Sequence, residues 1–441
     1  MRIFLYFHFL LSACLILLSC GQSSSDKTGD IPVIDIIENL GNYEKVPVSQ
    51  YIAELEYISL ETNDNCLFAD ENLELLVTST HIFVRGFRYC YAFDRNGQFL
   101  GQIGNYGQGP GEFNYLTGFT IDEKNQALYL ETFRTLLKYS WDGVFHQTIE
   151  LPKSIHGSSL HDVFFVRDNL FIGHFPNYKG DLFHNFVLFD DSSEVIKSFD
   201  NYVQFNRTRE IAPWTDDSMK PYRIGKRIYV KEIANDTLFY LNEQNELIPQ
   251  LVFDLGKYSN TKEKRESRVP GEINDEIMLP TSTWSMIGTH NHFFFSIRAY
   301  NLSGKFYFPE KGKRRSVVIP SGYQIVEGAE YRDLFGIYDI VNQTTQLLDT
   351  DPISPIRGFV NDLDGSLSFW PRYYTSDNEL VDIWQAEDMK EFLTEEYFAA
   401  HEIKDPAAHQ KLKELVQKMD EEDNPVIVIG KLRPELIRPN N

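Results

Sequence analysis

The sequence predicts an all-β protein, a six-bladed β-propeller of four-stranded antiparallel blades with a C-terminal helical insertion before the last strand. Two observations carry this prediction. A unit of short apolar strand, aromatic-rich strand, turn and further strand recurs about six times, the mark of a propeller. Its second strands begin near Ile82, Leu128, Leu170, Ile228, Phe293 and Leu367, at intervals of 46, 42, 58, 65 and 74 residues. The turn glycines Gly97 and Gly143 are also 46 residues apart, so strand and turn repeat in phase.

Taken in order, Arg2 and the apolar run Ile3 to Leu18 have the form of a secretion signal over residues 1–19. The run is shorter than the roughly 20 apolar residues a spanning helix needs. It ends in Leu17-Leu18-Ser19-Cys20, which resembles a bacterial lipobox, so Cys20 is the expected lipidation site and residues 20–32 a flexible tether. Acyl chains there would hold the protein to a membrane surface. Residues 33–441 are then a single propeller domain.

The blades are expected at about 73–103, 116–149, 160–203, 221–255, 283–349 and 356–384. In the first, Asn96-Gly97 suits a hairpin turn that requires positive φ. In the second, Trp141-Asp142-Gly143 takes the same place. The fifth carries an insertion from about Tyr300 to Arg332. In the sixth, Gly358 to Asn361, Leu367 to Trp370 and Leu380 to Trp384 read as three strands, and the fourth is missing from its place. An open blade edge invites unwanted pairing, so the strand must come from elsewhere. Val426 to Gly430 and Tyr57 to Leu60 are the two candidates. A helical segment, about 386–422, precedes the first of them. Asp405-Pro406 gives it an N-cap and a proline at the first helical position, and Leu412, Leu415, Val416 and Met419 form one apolar face.

The run Phe93-Asp94-Arg95-Asn96-Gly97, Phe99-Leu100, Gln102-Ile103-Gly104 and Gly107 to Phe113 resembles the opening blade of six-bladed β-propeller lipoproteins of the Bacteroidetes type, which are related to NHL-repeat propellers. The resemblance covers nearly the whole chain. It implies a cell-envelope protein anchored in the outer membrane, on its periplasmic or surface side, and an association with nutrient uptake. No single reaction is shared by that family.

The formal charge of −22 argues against nucleic acid as a partner, because such binding depends on neutralising phosphates. Four cysteines are present, and Cys66 and Cys90 remain once the signal and the lipidation site are set aside. In an exported protein these two could be bridged or free. Gly104 to Gly111 lacks the lysine and the following helix of a phosphate-binding loop, so it reads as a connector between blades. His290 and His292 are the metal candidates, with His156, His161, His174 or His184 as further ligands from other blades. No cofactor is otherwise predicted. No nucleophile elbow occurs.

Sorting residues by position in the repeat exposes one more pattern. A cation, usually beside an aromatic residue, follows the second strand of each unit: Arg85, Arg88 and Tyr89, then Arg134, Lys179, Lys231, Arg298 with Tyr300, and Arg372 with Tyr373. In a propeller this break lies on the ligand face. These residues are the candidate binding site for an anionic or carbohydrate ligand at the channel mouth. Binding or scaffolding in the envelope is therefore the expected role. The alternatives are a metal-dependent lyase or hydrolase on the propeller axis, and a protein-binding accessory subunit of an uptake system.

Overall fold

The computed structural model describes residues 31–437, apart from 69–72, 154–156, 207–218, 233–234, 260, 268–281, 301–315, 320–321, 326–330, 350 and 352. Cys20 and the signal lie outside the described residues. Six antiparallel sheets succeed one another along the chain, as the repeat requires. Blade one is Glu74–Val77, His81–Arg85, Cys90–Asp94 and Phe99–Gln102. Blade two is Gly118–Asp122, Ala127–Glu131, Thr135–Ser140 and Phe145–Glu150, and blade three is His161–Arg167, Leu170–His174, His184–Asp190 and Val195–Asp200. Blade four is Tyr222–Ile224, Arg227–Val230, Thr237–Leu241 and Leu247–Asp254. Blade five is Ser282–Gly288, His292–Tyr300, Tyr331–Asp339 and Thr344–Leu348, and its insertion contains the hairpin Ser316–Ile319 and Gly322–Ile325.

Apolar residues on both faces of each sheet bury themselves against the neighbouring blades. Six clusters result, one at each seam: blades one and two meet at Phe83, Leu128 and Tyr139, and two and three at Tyr129, Phe171 and Phe189. Three and four meet at Ile172, Leu188 and Ile228, four and five at Phe253, Phe293 and Phe295, and five and six at Phe294, Phe359 and Trp384. The last seam joins blade six to blade one through Ile58, Ile82, Phe93 and Ile427. The ring is closed.

Blade six corrects the strand assignment made from sequence. Its order is Tyr373–Tyr374, Glu379–Trp384, Val426–Leu432 and Ile52–Ser59, so both candidate closing strands are used. The stretch expected as its first two strands makes only two isolated bridges, Phe359 to Phe369 and Val360 to Pro47. Phe359, Leu367 and Phe369 are fully buried and fill the seam between blades five and six. Their apolar run imitates a hairpin because filling a core needs the same residue types as pairing a strand. Upstream of blade six the chain also covers two other edges. Val33–Asp35 pairs in parallel with the outer strand of blade four, and Tyr43–Glu44 does so with that of blade five. Covered edges present no unpaired backbone to another chain.

The helical insertion is present as Ala386–Phe392, Glu395–Ala399 and Pro406–Lys418. The Asp405 carboxylate accepts from the backbone N–H groups of Ala407 and Ala408, the expected cap. Leu412 and Met419 are buried in the seam of blades five and six, so the apolar face packs on its own domain. Among the described residues no helix is long and apolar enough to cross a membrane. Cys66 and Cys90 are free. Cys66 lies in the seam of blades six and one and Cys90 in that of blades one and two, on opposite faces of one sheet.

Gly97 ties the Asn-Gly turn to the closing strand. Its φ is +81°, and a Cβ there would overlap the Ser59 carbonyl oxygen. Gly143, at the same turn of blade two, has φ +84° but a nearest neighbour 3.3 Å away. Gly143→Ala is therefore expected to cost only the left-handed strain, about 1–2 kcal/mol. Gly97→Ala should cost at least about 1 kcal/mol more, because the closing strand must shift as well. Denaturant unfolding of the two variants measures this, and equal losses would contradict the role given to the closing turn.

Candidate functional site

Inner strands begin and second strands end at the same end of the central channel, here called the upper face. Side chains from four successive blades meet there. Lys220, just before blade four, places its ammonium 3.2 Å from Glu74 of blade one and 3.3 Å from Asp162 of blade three. Protein surrounds this lysine, yet 53% of its side-chain surface is accessible, because it stands in the channel. Burial would lower its pKa, but Glu74, Asp162 and Glu131 outweigh that effect and hold the ammonium above the ordinary lysine value. Arg85 binds the same Glu74 at 2.6 Å and donates to the carbonyls of Leu116 and Thr117 at 2.9 and 3.2 Å. Burial pushes the Glu74 carboxyl up, and the two cations more than reverse it.

Glu131, the last residue of its strand in blade two, is 1% exposed. It accepts from the Thr117 hydroxyl at 3.0 Å and the Val163 N–H at 2.9 Å. Burial raises its carboxyl to about 7, with Lys220 opposing and Asp162 adding to the rise. In blade three His161 and His174 are register partners. The His174 ring lies 3.4 Å from Glu232, and burial lowers the pKa of His161.

The residues expected from sequence are placed in several ways. Arg85 belongs to the mouth cluster. Lys231 is fully buried, donates to the Glu232 carbonyl at 3.0 Å and lies 5.4 Å from the Phe253 ring. Arg372 pairs at 2.8 Å with the buried Asp382. Tyr373 is half-buried, and burial raises its pKa. Tyr89 is buried and stacked on Tyr91. Arg88, Arg134 and Lys179 are exposed. Arg298 and Tyr300 lie on the second strand of blade five, and their side chains lie outside the described residues.

Sequence reasoning missed Lys220, Glu74, Asp162 and Glu131, and considered His174 only as a further metal ligand. Glu131 and His174 were within reach of the same alignment, since they end their second strands as Arg85 ends its own. Selecting for positive charge discarded them.

His292 opens the second strand of blade five, while His290 falls on the preceding turn. Thr289 and His292 close it, the Thr289 N–H donating to the His292 carbonyl at 2.8 Å. His292 is buried and 3.9 Å from Asp339, while His290 is exposed. Among the described residues no three His, Cys, Asp or Glu side chains stand where they could hold a metal ion. In the glycine-rich loop, Glu112 accepts from the Gly109 N–H at 2.8 Å, and a Cβ at Gly107 would overlap the same carboxylate. The loop is filled by an anion of its own chain.

Around the mouth the upper face is aromatic. Five aromatic side chains are exposed among the described residues: Tyr106, Tyr115, Phe133, Phe183 and Tyr202. All five lie on breaks after second strands or on connectors between blades, hence on this face. Phe87, Tyr115 and Phe133 form an offset row with ring centres 4.9 and 5.5 Å apart and planes within 19° and 15°.

A separate cavity of about 380 Å³ lies beside the helical insertion, lined in part by Lys45, Asp351, Asp362 and His401. His401 sits between two acceptors, the Tyr397 carbonyl and the Asp351 carboxylate, each at 2.7 Å. Both ring nitrogens must donate, which is the imidazolium form. The bond to Asp351 accordingly raises the His401 pKa.

Residues 31–431 match a family described as a domain of unknown function, DUF4934. A putative exported protein from Bacteroides fragilis is similar in structure, with a TM-score of 0.60 and 16% identity over 91% of this chain and 99% of that one. A member of the DUF4221 family from Bacteroides vulgatus aligns at TM-score 0.42 and 12% identity, over 69% and 86% of the two chains. Virginiamycin B lyase from Staphylococcus aureus aligns at 0.34 and 10%, over 67% and 87%. The first likeness shows a shared fold. No protein of curated function matches the chain.

Two pH dependences follow from the titrating groups. Glu131 has a folded pKa above its unfolded value of 4.5, so its contribution to stability is lost as pH rises from there to about 7. Glu131→Gln, which mimics the protonated acid, should remove that loss and gain up to about 3 kcal/mol over wild type above neutrality, with little gain at acid pH. Denaturant unfolding at both ends of the range checks it, and a pH-independent difference would refute the assignment. The His401–Asp351 pair acts in the range above it, being fully stabilising below pH 6.5 and lost as pH rises through the raised histidine value. The melting-temperature advantage of wild type over His401→Gln is expected to be largest near about pH 6 and to shrink by about pH 9.

Proposed function

The chain belongs to the DUF4934 family, and from that premise we propose that it is an exported propeller of the cell envelope that binds carbohydrate on its upper face. The observation that carries this reading is the gathering of every exposed aromatic side chain among the described residues on one face. Exposed aromatic clusters mark recognition sites when they are concentrated, and an aromatic ring offers sugars an apolar surface to lie on. The charged mouth adds hydrogen-bonding groups, Glu74, Asp162 and Lys220, beside that surface.

Acylation of Cys20 would tether the propeller to the outer membrane. The similar protein from Bacteroides fragilis, described as a putative exported protein, supports export. The Glu131 carboxyl favours a second reading, a lyase or hydrolase in which this group transfers a proton at the mouth.

A glycan panel screened against the purified protein tests the proposal. Binding is expected, with Phe133→Ala weakening it by about tenfold, the scale of one lost aromatic contact at a binding site. Failure of every glycan to bind, or indifference to Phe133→Ala, would overturn it. Product release by wild type but not by Glu131→Gln would establish the second reading.

A further inference from the structure

The two ends of the aromatic row carry the same dipeptide. Phe87-Arg88 follows the second strand of blade one, and Phe133-Arg134 follows that of blade two, 46 residues later. Tyr115, from the connector between these blades, fills the space between the two phenylalanine rings. The repeat thus puts an arginine next in sequence to the phenylalanine at each end of the row.

Both arginines are exposed. Arg88 lies over the Tyr106 ring with its Cζ 5.3 Å from the ring centre. Among the described residues neither arginine has a carboxylate partner. That is unexpected in a chain with 64 acidic and 42 basic residues. Arg85, Arg95 and Arg372 each have one, at 2.6, 3.1 and 2.8 Å. A planar fork of N–H donors on an aromatic platform suits a carboxylate or sulfate, which it can bind through two parallel hydrogen bonds. The net negative charge of the chain does not oppose this at contact range, because exposed charges beyond about 8 Å are screened at physiological salt.

We propose that the ligand of the upper face is an acidic glycan, its sugar ring against the Phe87–Tyr115–Phe133 row and its carboxylate or sulfate held by Arg88 and Arg134. This rests on the carbohydrate reading above and narrows it to one chemical class.

The test uses matched pairs of glycans that differ only in charge. The pairs are oligogalacturonate with its methyl ester, and keratan sulfate with its desulfated form, titrated against the full mature chain. At least one charged member is expected to bind about tenfold or more tightly than its neutral match, the scale of a hydrogen bond to a charged group. Arg88→Gln and Arg134→Gln should each reduce that preference while leaving the neutral member and the circular dichroism melt unchanged. Equal binding of charged and neutral members, weakened in both by Phe133→Ala, would overturn the acidic ligand and leave the carbohydrate reading standing. Absence of binding by every charged member would also overturn it. Binding that depends on the arginines but ignores Phe133→Ala would instead remove the aromatic surface from the site.

Discussion

Pairing of Ile52–Ser59 with Val426–Leu432 joins segments from opposite ends of the sequence, and the burial of two seams depends on it. Without that strand pair, Ile58 and Ile427 would leave the apolar wall of blade one facing water, and the cluster around Trp384 would lose Ile52 and Val428. Each of the other seams involves blades that are adjacent in sequence, and the four between blades one and five can form locally. The last one cannot. It carries the entropy of closing a loop almost as long as the domain, and burial of a whole seam is what offsets that cost.

Closure also sets the geometry of the mouth. Lys220 spans from the entrance of blade four to Glu74 of blade one and Asp162 of blade three, so its position depends on the whole circle and not on a neighbouring strand. Three carboxyl groups with one lysine and one arginine would be costly in a dry core. In the channel water reaches Lys220, while Glu131, which water barely reaches, is the member whose ionisation becomes unfavourable. The polar cluster and the aromatic surface around it are products of one topological fact. Every second strand ends, and every connector crosses, on the same side.

Blade period, turn chemistry and the late helix were legible because they are local. Gly97 and Gly143 take the positive φ their turns require, and Asp405 caps the helix predicted for it. The hairpin-like run from Gly358 to Trp370 was misleading for a physical reason: a segment that fills a seam is as apolar as one that pairs within a sheet. At the candidate site, the Phe-Arg dipeptides were visible at their 46-residue spacing. Lys220 was not, since it stands outside the repeat and its role comes only from what lies across the channel.

The sequence by itself determined that the chain is a ring of six small sheets and which residues lie on its upper breaks, because those properties depend on alternation and period along the chain. Which strands complete blade six, which cations meet a carboxylate and which stay open, and how a carboxyl in blade two acquires a pKa near neutrality were decided only by the tertiary structure. Each of these depends on contacts between residues far apart in sequence, and such contacts exist only once the ring has closed.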